Sequence, residues 1–133
     1  MQGKRDDMFE AGNTYRIAGT NSYLTVIEAS GRKGRYFRGW KSESLAGEWE
    51  PRTPGAMNIF VDSDNVSFED RVWSEGVSNG EMIRSVSDQT LAIDPCQPLR
   101  FLYQGVDKVK GKSDEYIELP YRLGLITETA PIR

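Results

Sequence analysis

Short strand-like runs separated by turns are the feature that most limits what this chain can fold into. No segment keeps apolar residues at helical spacing over three turns. Residues 14–18 and 22–29 alternate in polarity on either side of a Gly-Thr-Asn turn, which predicts a β-hairpin. The aromatic-rich run 35–40 predicts the next strand. The chain is therefore expected to be mainly β.

The second half of the chain repeats this pattern. Further short strands are predicted within residues 66–70, 71–77, 78–85, 89–94, 99–105 and 119–127. The proline-containing stretch 51–58 and the polar run 107–115 predict connections. Strands at this spacing indicate a sandwich, a barrel or propeller blades. A blade needs roughly 40–50 residues, so a chain of 133 residues would form two to three blades and leave sheet edges uncovered.

Composition excludes several classes of function. The net charge of −3 gives no electrostatic basis for binding nucleic acid or an anionic membrane. No apolar run approaches the ~20 residues of a membrane span, and the first residues lack a signal-peptide pattern. The chain has no histidine, which excludes Ser-His-Asp triads and His-based zinc sites. Acid–base chemistry would have to come from carboxylates, Lys or Tyr.

Two local motifs carry little weight. Asp62 and Asp64 have the spacing of a calcium loop, but Val66 and Trp73 occupy positions where that loop needs oxygen ligands, so we reject it. A glycosylation sequon begins at Asn65 and has meaning only if the protein is secreted. Gly-x-Gly-x-x-Gly, P-loop and Cys-x-x-Cys patterns are absent from the sequence.

Glu10 raises a more specific question, because it lies beside Phe9 at the entry to the predicted hairpin. A carboxylate entering a sheet is costly unless it is paired or faces water. From the residues alone, Glu10 is either a solvent-facing strand residue or an acid directed into a site. Glu28, on the second strand of the hairpin, is expected to be structural.

A combination of segments in order suggests which of these applies to Glu10. MFEA precedes the hairpin strand YLTVIEA; then follow GRYFRGWKSESLAGEWEP, SNGEMIRS, DQTLAIDPCQPLRFLYQG and EYIELPYRLGLIT. This order resembles the C-terminal part of glycoside hydrolase family 62, the α-L-arabinofuranosidases that remove arabinose branches from arabinoxylan. The resemblance runs from about residue 8 to residue 127.

The resemblance implies a fold and a reaction. The family folds as a five-bladed β-propeller and inverts the anomeric centre, so residues 1–133 would be the C-terminal portion of one catalytic domain, with its last two to three blades. The expected partners are arabinoxylan or arabino-oligosaccharides and the missing N-terminal blades, and the expected location is extracellular. The family's catalytic base, an Asp, belongs to earlier blades. The chain alone is therefore expected to have little or no activity.

The resemblance also assigns residues. Glu10 matches the general acid, and Tyr116 matches a substrate-binding Tyr, although Ile117 follows where the family commonly has Asn. Asn79 replaces a His that lies near a channel metal ion, often calcium; this change of ligand argues against a metal here, and no cofactor is expected to be required. Cys96 matches half of a disulfide to the N-terminal region. From the residues alone it is either such a half or a buried packing residue.

Two alternatives belong to other classes. The chain could be a non-catalytic carbohydrate-binding module that retains Tyr116, which Asn79 and Ile117 favour slightly. It could also be an unrelated β-sandwich interaction domain.

Overall fold

A computed structural model describes residues 8–53, 55, 57–107 and 115–129. The described part contains antiparallel strands and one short 3-10 turn, Tyr116–Glu118. None of its helical residues forms a helix long and apolar enough to cross a membrane. The strands are β1 (Glu10–Arg16), β2 (Tyr23–Gly31), β3 (Gly34–Ser42), β4 (Glu50–Pro51), β5 (Ile59–Val61), β6 (Ser78–Met82), β7 (Arg100–Val106) and β8 (Tyr121–Thr127).

The first sheet is an antiparallel meander in the order β1-β2-β3, with β4 and β5 both paired to β3. Its predicted hairpin is confirmed: Thr14 pairs with Thr25, and their hydroxyls are 2.7 Å apart. The β2–β3 ladder runs without interruption from the Tyr23–Ser42 pair to the turn at Gly34. Gly34 has φ +102°, a conformation that glycine adopts easily and other residues do not.

The second sheet has the order β6-β7-β8, again antiparallel. Residues of β7 alternate between buried and more exposed positions, as a strand with one face on a core should. Gly80 in β6 lies against the ring of Phe101, and a Cβ at that position would overlap the ring. The glycine of the SNGE segment is therefore required by packing between neighbouring strands.

The core lies where the two sheets face each other. The ring of Phe37 on the first sheet contacts that of Phe101 on the second, edge to face, with centroids 4.9 Å apart. The backbone N–H of Met82 donates to the Tyr15 hydroxyl at 3.0 Å, which joins the sheets through a polar contact inside the core. The buried members of this cluster are Tyr15, Leu24, Val26, Phe37, Val61, Val77, Met82, Ile93, Phe101 and Tyr103.

Two predicted strand regions are wrong. Residues 66–77 follow an irregular path outside the ladders, although Val66 and Trp73 pack against the core cluster. Trp73, for example, stacks on Tyr103 with centroids 5.6 Å apart. Residues 89–94 contribute only one bridge, in which Ile93 pairs in parallel with Ile17. The all-β, antiparallel class is confirmed. Most of the predicted loop 107–115 lies outside the described residues.

Candidate functional site

Glu10 begins β1 and stands directly opposite Glu28 in the β1–β2 register. Its side chain is 53% exposed, so the carboxyl group reaches solvent. Directly paired residues of antiparallel strands project to the same face, about 5 Å apart at Cβ. Two carboxylates therefore occupy one end of the first sheet, and their environments differ strongly.

Glu28 is completely buried. Its Oε1 accepts a hydrogen bond from Ser78 Oγ at 2.9 Å, and its Oε2 accepts one from the backbone N–H of Asn79 at 2.8 Å. A buried carboxylate persists only when such donors and a counter-charge replace water. Glu28 thus ties the first sheet to the start of β6.

Arg35 supplies the counter-charge for both carboxylates. Its Nη1 lies 3.7 Å from Glu28 Oε1 and 3.9 Å from Glu10 Oε1, distances of ion pairs and too long for hydrogen bonds. The guanidinium carbon lies 3.7 Å from the centre of the Phe9 ring, a cation–π contact that holds it in place. The sequence patterns indicated neither a site role for Arg35 nor one for Glu28. The hairpin register, which places Glu28 opposite Glu10, was the signal that could have found Glu28.

Asn79 is joined to this group through its backbone. Its N–H donates to Glu28, and its φ of +45° places it in the left-handed region. The side chain is exposed, and its Nδ2 donates to Gln104 Oε1 at 3.4 Å. The structure therefore brings Asn79 to the same network as Glu10, with Glu28 and Arg35 between them.

Tyr116 lies at the edge of the network, in the 3-10 turn, with 74% of its surface exposed. Its ring contacts that of Tyr121 with centroids 5.8 Å apart. Desolvation, with the hydrogen bond that Tyr121 shares with Tyr116 as the next cause, raises the pKa of Tyr121 to about 12, and the charges of Arg35 and Glu28 also act on it. Tyr116 thus reaches the site through Tyr121. Ile117 beside it is 90% exposed.

The described residues thus place Glu10 and Asn79 beside the ion pair of Glu28 and Arg35, with Tyr116 against Tyr121. A model of glycosyl hydrolase family 62 matches residues 1–127. The chain belongs to this family.

Relatives of this family 62 chain agree in sequence and fold. It is 41% identical over 119 residues to α-L-arabinofuranosidase C of Cellvibrio japonicus, covering 90% of this chain and 19% of that protein. The catalytic domain of a Coprinopsis cinerea GH62 α-L-arabinofuranosidase is 45% identical, with a TM-score of 0.84. The α-L-arabinofuranosidase of Podospora anserina, solved in complex with cellotriose, is 41% identical, with a TM-score of 0.86.

The coverage is one-sided. The chain aligns over 94% and 98% of its own length with the Coprinopsis and Podospora structures but spans only 39% and 41% of theirs. A third structure, a GH62 hydrolase in complex with xylotriose, gives the same picture at 92% and 38%. The alternative of an unrelated β-sandwich is not supported by these matches.

Asn79 does not form a metal site with its described neighbours. A hard cation such as calcium takes six to eight oxygen ligands, mostly carboxylates. Both oxygens of Glu28 already accept hydrogen bonds, and Asn79 and Gln104 offer only neutral amides. The described part of the chain has no group of three or more His, Cys, Asp or Glu side chains placed to hold a metal. These side chains alone do not fit the ion.

Cys96 is exposed, so the interpretation of it as a buried packing residue is wrong. Its backbone N–H donates to Asp94 Oδ1 at 2.8 Å in a surface turn. The disulfide that the family resemblance implies stays a prediction. The rejected calcium loop is a surface turn in which Asp62 Oδ1 accepts the N–H groups of Asp64 and Asn65 at 2.9 Å.

Proposed function

We propose that this chain is the general-acid portion of an α-L-arabinofuranosidase that removes terminal L-arabinofuranosyl side chains from arabinoxylan with inversion. One observation carries the proposal: in this family 62 chain the carboxyl group of Glu10 reaches solvent. Buried Glu28 lies directly opposite it, and the guanidinium of Arg35 forms ion pairs with both carboxylates. A proton donor must be reachable by the glycosidic oxygen and must be held in position.

Glu10 protonates the departing oxygen as the bond from that oxygen to the anomeric carbon breaks. A water molecule attacks the same carbon from the opposite face and gives its proton to a second carboxylate. In inverting enzymes the two carboxyl groups are about 6.5–9.5 Å apart, which leaves room for the water. Each turnover leaves Glu10 ionised until solvent returns the proton, which its exposure permits.

Glu28 is not this second carboxylate. It is buried, and both of its oxygens accept hydrogen bonds, so it can neither reach nor activate a water molecule. We therefore assign the base to the part of the family domain that this chain does not span. The free chain would then have little or no activity.

Tyr116 and Asn79 complete the proposed site. An exposed phenol offers an apolar ring face and a hydrogen-bonding edge, the two surfaces that a sugar presents in return. The exposed amide of Asn79 can donate to a sugar hydroxyl and accept from one. Both are assigned to substrate binding, and Glu10 alone to chemistry.

The two face-to-face sheets are assigned as neighbouring blades of a five-bladed propeller, and residues 1–133 as the C-terminal portion of that domain. The match to about two fifths of solved family structures supports this assignment. Structures of relatives with xylotriose and cellotriose support an oligosaccharide as the ligand. Action on a plant polysaccharide agrees with an extracellular location.

The test is a fusion of the full chain behind the part of the Coprinopsis cinerea domain that it does not match. We expect this fusion to release arabinose from arabinoxylan and Glu10→Gln to abolish the release, by about 10²-fold or more. Glu43→Gln, an exposed carboxyl in a loop, is the matched control and should keep full activity. NMR of the fresh product should show inversion. Equal activity of Glu10→Gln, or a family-like rate from the free chain, would contradict the proposal.

Carbohydrate binding without catalysis is the second candidate, and the exposure of Tyr116 favours it. Affinity electrophoresis of the free chain in arabinoxylan tests it. Retardation that Tyr116→Ala removes, with no hydrolysis from the fusion, would support a binding module in place of an enzyme.

A further inference from the structure

The exposed turn that follows β5 carries the only glycosylation sequon of the sequence, Asn65-Val66-Ser67. The chain has four other asparagines, and none of them has Ser or Thr two residues later. Such a triplet also occurs by chance, so the sequence alone does not identify a modified residue. The fold supplies two further observations.

The first observation is how the triplet presents its side chains. Partly buried Val66 packs against the core cluster, whereas Asn65 and Ser67 on either side of it are exposed. N-glycosylation uses the amide of the first residue and requires the hydroxyl of the third. The middle residue therefore anchors the segment, and both groups that define the sequon reach solvent.

The second observation is that the turn is held by bonds that leave the amide nitrogen open to substitution. Asn65 Oδ1 accepts the N–H of Asp62 at 2.9 Å, and Asn65 Nδ2 donates to the carbonyl oxygen of Phe60 at 3.2 Å. A side-chain amide nitrogen carries two protons, so one remains when the other is donated. The next residue back, Asp64, forms an ion pair with Lys33 at 2.6 Å, which ties the turn to the one between β2 and β3.

We propose that Asn65 carries an N-linked oligosaccharide. A bond forms between Asn65 Nδ2 and the anomeric carbon of the first sugar of a lipid-linked oligosaccharide donor, and the bond from that carbon to the diphosphate oxygen of the donor breaks. The lipid diphosphate leaves, and Nδ2 gives up one proton. Because a protein meets this donor on the secretory route, the inference rests on the extracellular location proposed above.

The surrounding structure tolerates a bulky group at this position. Residues 62–77 contain no strand, so a sugar at Asn65 interrupts no ladder. The carboxylate of Asp62 accepts the backbone N–H groups of Asp64 and Asn65, and these bonds keep the shape of the turn whether or not Nδ2 is substituted. The modification therefore adds polar bulk to the surface without a change in the fold.

Translation of the full chain behind a secretion leader, in the presence of microsomes that contain the donor and its transferase, tests the proposal. We expect a slower-migrating product that peptide-N-glycosidase F returns to the mobility of the unmodified chain. Ser67→Ala should abolish this product, because it removes the required hydroxyl and leaves Asn65 in place. Ser67→Thr, which keeps a hydroxyl, should retain it. Transfer precedes complete folding, so a loss can be assigned to the sequon.

The matched control is Asn21→Gln, since Asn21 is also exposed in a turn but has Tyr23 two residues later. It should keep the slower product. In the fusion described above, made with the same leader, peptide mass spectrometry should find Asn65 occupied in the secreted protein. An unmodified chain, a slower product that persists in Ser67→Ala, or a fusion with unoccupied Asn65 would overturn the proposal.

Failure of this inference and failure of the proposed function can be told apart. A fusion that is glycosylated at Asn65 and releases no arabinose would count against the proposed function and leave the modification site standing. A fusion that releases arabinose while Asn65 stays unmodified would do the reverse.

Discussion

The two sheets treat their outward faces in opposite ways. On the first sheet the face turned away from the core is also buried: Trp40 is 7% exposed and pairs with Thr25, also 7% exposed. Tyr36 and its partner Ala29 are 6% and 0% exposed. On the second sheet the corresponding face carries leucines that are 38–73% exposed, namely Leu102, Leu123 and Leu125. The outward face of the first sheet is thus buried by the chain itself, whereas that of the second sheet is open to solvent.

The two sheets also differ in how many strands extend them. Strand β3 has two further short strands, β4 and β5, along its edge. Gly39, on the core side of β3, lies against Arg52 and Phe60 from the segments that carry these strands. Within the described residues, the second sheet has no such addition after β8.

A substitution at the interface between the two sheets should lower the free energy of unfolding most. Phe37→Ala removes a fully buried ring that contacts Phe101, and we expect the free energy of unfolding to fall by about 3–5 kcal/mol. Urea unfolding measures it. Leu45→Ala, on an exposed loop, should change stability by no more than about 0.5 kcal/mol. Similar values for the two variants would mean that the sheets do not depend on each other.

The polar connection between the sheets should come next. Glu28→Gln keeps the shape but leaves Ser78 or the Asn79 N–H without its carboxylate acceptor and Arg35 without a buried counter-charge. We expect a loss of about 1–3 kcal/mol in the free energy of unfolding. Glu43→Gln serves as the exposed comparison. A Glu28 variant as stable as the parent would show that the contacts of Glu28 add nothing to the stability of the interface between the sheets.

The smallest effect on stability should come from Tyr121 in the second sheet, and it should appear only at alkaline pH. Burial raises the pKa of Tyr121 to about 12, above the value near 10 of an unfolded chain. The neutral phenol therefore stabilises the fold below pH 10, and this contribution is lost as the pH rises toward 12. Tyr121→Phe should flatten the decline of the urea midpoint between pH 10 and pH 12. An unchanged slope would place the alkaline sensitivity elsewhere, with Tyr15 and Tyr103, whose pKa values are also raised, as the next tyrosines to replace.

The local alternation of polar and apolar residues predicted the strands that pair in ladders. It failed where a segment packs by its side chains without pairing its backbone. The hairpin of β1 and β2 follows from alternation around a short turn, which is information held within a few residues. Residues 66–77 alternate in a similar way, yet Trp73 gains its contacts by stacking on Tyr103 without joining a strand. Nothing local separates the two cases, because the partner surface comes from a distant part of the chain.

The site divides in the same manner. Glu10, Asn79 and Tyr116 could be named because their segments resemble those of the family; the structure places Glu10 and Asn79 on one network, and Tyr116 against Tyr121. The role of Glu28 could not be predicted in that way, because its hydrogen-bond donors, Ser78 and Asn79, are 50 and 51 residues away in the sequence. The role of a buried carboxylate can be assigned only when its hydrogen-bond donors are known.

The left-handed backbone of Asn79 limits evolution at that position. At a φ of +45°, Asn, Asp and His are tolerated far better than β-branched or bulky residues. An exchange between His and Asn therefore leaves the main chain undisturbed, and with it the N–H that Glu28 holds. The backbone conformation therefore restricts this position to a few polar residue types, and exchange among those types leaves the main-chain path unchanged.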